Sequence, residues 1–227
     1  MSRSPKSAYP KMLEALASDT LPHLRQLGRR ERRAAETRIS LFRSAMRLFA
    51  ERGFQNVTVE DITEAADVGK GTFFNYFQSK DQVLGVMAEI QLGKVREVLQ
   101  LAEGGKQSVR TILRILFQRI SEEPGRSPEL TRALISTFLA SDKIRLTMST
   151  NLAEGRRMVA KILDLGQQRG EIALGLRPEQ LARQCQQSVI GTLLFWSLRG
   201  DERLETRLEE SFQHFWRAIA LKKEAPR

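Results

Sequence analysis

With 227 residues, 41% of them hydrophobic, the chain has enough apolar material for one large or two modest cores. Its 37 Lys and Arg against 27 Asp and Glu give a net charge of +10 and a pI near 10.2, which points to a polyanionic partner. A single cysteine, Cys185, and two isolated histidines, His23 and His214, exclude an intramolecular disulfide, leave no ligand cluster for a metal and offer no base for a nucleophile, so neither an enzyme nor a cofactor is expected. No stretch of 18 apolar residues is present to enter a membrane, and the chain reads as cytoplasmic.

Residues 1–33 carry eight basic and three acidic side chains, densest in "GRRERR" at 28–33, and read as a flexible basic arm able to follow a phosphate backbone. From about residue 34, Leu41, Phe42, Ala45, Met46, Phe49 and Ala50 recur at three and four, the period of one helical face, and Gly53 ends it. Thr58 with Asp61 three residues on opens a short helix to about residue 66, and Asp67-Val68-Gly69 interrupts it. A second short helix covers 70–77. Ser79 with Gln82 repeats the capping pattern and starts a long helix over about 80–101. A helix followed by two short helices around a turn is the helix-turn-helix arrangement, whose second short helix enters the DNA major groove.

Beyond a loop at "EGGKQS" the pattern stays helical over about 109–121, 128–140, 147–168, 178–198 and 202–221, with no strand alternation. The fold class is therefore all-α. A three-helix helix-turn-helix DNA-binding domain over 34–80 precedes a helical domain over 81–227.

In "GKGTFFNYF" the period places Phe73 and Phe77 on one face and Lys70 with Phe74 on another. Gly69 and Gly71 allow backbone to approach a surface closely, Lys70 reaches a base edge or a phosphate, and Thr72 bonds to either. Asn75, the Tyr76 hydroxyl and Lys80 suit phosphate oxygens. Spacing alone leaves a second reading open, a helical hairpin with an aromatic core and a solvated lysine.

Residues 41–84, with "LFRSAMRLFAERGF" and "VTVEDITEAADVGKGTFFNYFQSKDQVL", resemble the TetR family of bacterial transcriptional regulators at Phe49, Gly53, Thr58, Ile62, Gly71, Tyr76, Phe77 and Lys80. The resemblance implies a homodimer with a small N-terminal DNA-binding domain and a larger C-terminal ligand-binding and dimerisation domain. It implies a repressor that leaves a near-palindromic operator when a small molecule binds. Carried over by position, Lys70 and Gly71 approach bases, Thr72 bases or phosphate, and Thr58, Asn75, Tyr76 and Lys80 the backbone. Phe74 stands where the family usually has Tyr, so a phosphate contact there lacks its hydroxyl; Asp67 replaces the usual turn Gly, and Gly69 a frequent Ser.

The C-terminal half resembles the family loosely, through "RGEI" at 169–172 and the helix after it. There Leu181, Cys185, Ser188, Thr192 and Trp196 form one stripe, and 189–198 are apolar nearly all round. With Leu204, Leu208, Phe212, Phe215 and Ile219 on the last helix, the expectation is a four-helix dimer interface; burial inside one subunit is the other reading. Cys185 is a redox switch or, as its apolar stripe favours, a small core residue. Met87, Phe117, Phe138, Met148, Met158 and Trp196 are the candidate lining of an effector pocket. The rival to a regulator is a helical adaptor or nonspecific basic binding protein.

Overall fold

The computed structural model describes residues 28–140, 142–200 and 202–221, and these form α-helices with no β-strand among them. In chain order they are α1 (Arg29–Arg52), α2 (Val59–Ala65), α3 (Lys70–Tyr76), α4 (Lys80–Glu103), α5 (Val109–Ser121), α6 (Pro128–Ala140), α7 (Asp142–Gln168), α8 (Pro178–Arg199) and α9 (Leu204–Ile219). Of the described residues, those up to Gly93 with Ala133–Met148 make one compact unit, and Lys94–Arg132 with those from Ser149 onward make another. The division falls inside α4 and not at Lys80, because the first turns of this continuous helix bury Val83, Leu84 and Met87 in the first unit.

Most of the basic arm, residues 1–27, lies outside the described residues, but Arg29 to Arg33 are helical, a correction to the flexible reading of 28–33. Arginine is a good helix former, Arg32 pairs with Glu36 one turn on at 3.6 Å, and neither fact shows in an apolar periodicity that begins only where α1 has a core to face. α7 also starts early, at Asp142, five residues before the repeat marks it; Asp142 and Arg145 pair at 2.8 Å across its first turn, where Ile144 is buried but Leu146 is exposed, so the apolar positions there follow no helical period. The second capping pattern does not form: Ser79 Oγ has no hydrogen-bond partner, and Gln82 Oε1 accepts from the Gln78 N–H at 2.8 Å instead.

In the first unit Leu41, Phe42, Ala45 and Phe49 of α1 are buried along with Phe54, Val57, Ile62, Phe73 and Phe77. Phe49 and Phe54 meet edge to face at 4.9 Å, and complete burial of a side chain such as Phe73 contributes about 1.5–3 kcal/mol.

The second unit is organised by α5, α8 and α9 around Phe117, whose ring lies 5.5 Å from Phe212 and 6.3 Å from Phe215. The "RGEI" stretch is a staple between helix ends. Gly170, at φ +69, turns the chain after α7; Arg169 Nη2 donates to Ala102 O at 2.6 Å near the end of α4, and the Glu171 carboxylate accepts from Val109 N–H at 2.8 Å at the start of α5. A cation thus meets a C-terminal carbonyl, and an anion meets N-terminal donors, as the helix dipoles favour.

Lys94 is 2% exposed, and its ammonium donates to Arg119 O at 2.8 Å, Glu122 Oε2 at 2.6 Å and Glu123 Oε2 at 2.6 Å, fastening α4 to the end of α5. Removing the cation leaves the buried Glu123 beside Glu122 without it. Lys94→Ala is therefore expected to lower unfolding stability by about 3–5 kcal/mol, read as a fall in the urea midpoint, with Glu123→Gln in the same chain recovering part of the loss.

Candidate nucleic-acid interface

Thr58 and Asp61 form a complete capping box at the start of α2. Thr58 Oγ1 accepts from Asp61 N–H at 3.1 Å, and Thr58 N–H donates to Asp61 Oδ2 at 2.7 Å. The Thr58 hydroxyl, its N–H and the Arg52 guanidinium hold the Asp61 carboxyl below its ordinary range. At the other end of α2, Ser44 Oγ donates to Ala65 O at 3.2 Å, Val68 N–H closes on Thr63 O at 3.0 Å, and Asp67 takes the left-handed turn at φ 54. Aspartate accepts that conformation at lower cost than most side chains, so the turn forms without the usual glycine.

This frame delivers α3 with one face inward. Phe73 and Phe77 are fully buried with rings 5.4 Å apart, and the Arg38 guanidinium lies 5.2 Å over the Phe77 ring. Lys70 at the helix start and Gly71, Phe74 and Asn75 along it are all exposed; Phe74 is 48% exposed and touches Phe73 edge to face at 5.5 Å. Thr72 and Tyr76 are half-buried beside them. A Cβ added at Gly71 would meet no atom within 4 Å, and its backbone has no positive φ, so nothing inside the protein demands glycine there.

Lys80 is held differently from the other candidates. Its Nζ donates to Phe54 O at 2.8 Å and Val57 O at 2.9 Å and sits 4.5 Å from the Phe54 ring, closing the turn after α1. Sequence reasoning also passed over Glu60. It lies in the first turn of α2, and its carboxylate accepts from Lys70 Nζ across the turn, which keeps the Glu60 carboxyl below its ordinary range. The only signal was the position itself, two residues after the cap.

The six pocket candidates divide between the units. Phe138 and Met148 line a cleft of ≈ 350 Å³ in the first unit with Phe77, Leu84, Asp81 and Ile144, and Met87 is buried in that unit. Phe117 is packed in the ring cluster of the second unit, Met158 packs against its core, and buried Trp196 donates from Nε1 to Glu202 O at 3.0 Å. No metal-binding group of His, Cys, Asp and Glu occurs among the described residues.

Leu204, Leu208, Phe212, Phe215 and Ile219 of α9 are buried within their own chain, a correction to their reading as a dimer face. They belong to the core that includes α5, where Arg114 also reaches Glu209 at 2.7 Å; an apolar stripe reports that a helix is covered, not by which chain. The apolar surface left open on α8 is Ile190, Phe195 and Leu198, the latter two each 61% exposed. A shallow groove of ≈ 450 Å³ runs beside them between α8 and α9, past Thr192, Arg207, Ser211 and His214.

Cys185 lies in the second unit's core, where burial pushes its thiol up to about 12. The native chain should therefore resist a maleimide at pH 8 and react after unfolding. Because the folded value is the raised one, this group's contribution to stability is complete below the ordinary thiol range and is lost as pH climbs from about 9 toward 12.

A family described as "Bacterial regulatory proteins, tetR family" matches residues 41–87. The chain is 45% identical over 56 residues to the HTH-type transcriptional regulator TcmR of Streptomyces glaucescens, a quarter of each chain. It is 25% identical over 199 residues to the HTH-type transcriptional regulator EthR of Mycobacterium tuberculosis, covering 83% of this chain and 90% of that one. Among solved structures, Thermus thermophilus FadR, a TetR-family transcriptional repressor in complex with lauroyl-CoA, superposes with a TM-score of 0.58 at 27% identity, covering 84% of this chain and 98% of that one.

Proposed function

The chain is a member of the TetR family of bacterial regulatory proteins, and from that premise we propose that it is a homodimeric transcriptional repressor, a binding protein and not an enzyme, released from operator DNA by a small molecule. The observation that carries the reading is α3. Two buried phenylalanines anchor it, and Lys70, Gly71, Phe74 and Asn75 stand exposed, inside the segment that the family matches. In this reading Gly71 lets the backbone lie against the base edges, and Lys70 reaches them. Phe74, without a hydroxyl, offers its ring to a thymine methyl. Thr72, Asn75 and Tyr76 bond to phosphates, and Thr58 and Lys80 secure the flanking turns while presenting further contacts to the backbone.

Two copies joined through the open face of α8 would set two such helices about one DNA turn apart, ~34 Å, on a near-palindromic site. The effector would enter the cleft at Phe138 and Met148, where Phe77, Leu84 and Ile144 offer apolar contact beside the charged Arg38, Asp81 and Glu89, and favour a head spacing that fits the operator less well. Action on DNA would put the protein in the cytoplasm; no described helix is long and apolar enough to cross a membrane.

An electrophoretic mobility shift with DNA from upstream of the protein's own gene tests this. A shifted band that resists competitor duplex supports the repressor; equally weak binding to every duplex would leave a nonspecific basic protein.

A further inference from the structure

Between Val57 and Gly69 the chain has four acidic residues, Glu60, Asp61, Glu64 and Asp67, and no basic one, against the grain of a protein with net charge +10. Asp61 is explained by the cap and by Arg52. Glu60 is not: it reaches from α2 across the turn to Lys70, the first residue of α3, and both side chains are more than half exposed. An ion pair so placed adds little to stability. It does occupy the one lysine of α3, which is exposed, and it sets a carboxylate where phosphates would come.

We propose that Glu60 is a positioning residue that determines specificity: holding the Lys70 ammonium, it withholds this cation from phosphates and aims it at base edges, so that binding to non-cognate DNA is suppressed. The inference rests on the DNA-binding reading of α3. Nonspecific binding draws almost entirely on phosphate contacts and the counterions they release, whereas guanine O6 and N7 accept from a lysine in the major groove. A tethered lysine adds little to the first kind of binding and remains available to the second. The Glu60 carboxyl, kept below its ordinary range by Lys70, is charged at neutral pH and repels any backbone that approaches without a base partner for Lys70.

The test is a fluorescence-anisotropy titration of a random-sequence duplex between 50 and 200 mM salt with the full chain, Glu60→Gln, Glu64→Gln and Glu60→Gln/Lys70→Met. Glu64 lies one helical turn further along α2 and is exposed, so its variant removes the same charge without touching the pair. Glu60→Gln should bind the random duplex roughly 8-fold more tightly near 0.1 M salt, with a log–log salt slope steeper by ~0.9, the signature of one additional phosphate contact. Glu64→Gln should leave the slope unchanged, and Lys70→Met should cancel the gain. On the upstream fragment the affinity should rise less, so that the ratio of specific to nonspecific binding falls. Equal gains from the two glutamine variants, or an unchanged slope in Glu60→Gln, would overturn the proposal. Wild-type protein that prefers no fragment would sink the repressor reading, while the comparison on random duplex still decides whether Glu60 restrains Lys70.

Discussion

Gly71→Leu is expected to reduce operator binding to the level seen with random DNA, a loss of about 10³-fold or more at physiological salt, with the circular dichroism spectrum and melting temperature unchanged. The two halves of this expectation have separate causes. No internal atom lies within 4 Å of where a Cβ would stand, and the backbone there is ordinary helix, so a larger residue costs the fold nothing and adds some helix propensity. Outside, the added side chain occupies the space through which the α3 backbone would approach the groove, and every base contact further along the helix is lifted away with it. Tight selective binding by the leucine variant would mean that α3 does not lie against the DNA at this position. A variant that melts early would mean that the glycine has an internal role that the packing does not show.

The division of α3 into an inside and an outside was only partly legible: the period puts Phe73 and Phe77 on one face, where both are buried, but spacing leaves an aromatic-core hairpin open and the family resemblance weighs against it. Asp67 was legible, since few residues other than glycine tolerate the turn's left-handed backbone. Interactions across a turn were not. Nothing in the spacing of Glu60 and Lys70, or of Lys80 and the carbonyls of Phe54 and Val57, indicates a meeting, because these contacts depend on how consecutive helices cross. The start of α1 escaped for want of a core: Arg29 to Arg33 have no apolar face to reveal, and helix propensity with the Arg32–Glu36 ion pair favours the helix there. The start of α7 escaped because Ile144 is buried while Leu146 is exposed, which breaks the apolar period. The "RGEI" stretch resembled a family feature without a reason; the helix ends that Arg169 and Glu171 satisfy supply one. The pocket candidates share size and apolarity with any core residue, and Phe117 and Trp196 are packed as core residues.

The stripe on α9 and the open patch on α8 make opposite forecasts, which a pair of substitutions separates. Phe195 is 61% exposed in the single chain, so Phe195→Glu should change the stability of a monomer by no more than about 0.5 kcal/mol. At a dimer interface it would bury a charge on each side of a symmetric contact and meet its own copy, and the dimer should sediment as monomers at micromolar concentration. Operator affinity should then fall at least 100-fold, because linking two DNA-binding heads raises affinity by roughly 10²–10⁴ over one head. Phe212→Ala makes the contrasting case. Phe212 is fully buried against Phe117 in its own chain, so its truncation should cost about 3–5 kcal/mol of unfolding stability, and chains that remain folded should still associate. A Phe195→Glu protein that remains dimeric and binds its operator at full strength would place the contact between subunits elsewhere than on Ile190, Phe195 and Leu198. Loss of association with Phe212→Ala alone, at a temperature where it is folded, would return the interface to the α9 stripe.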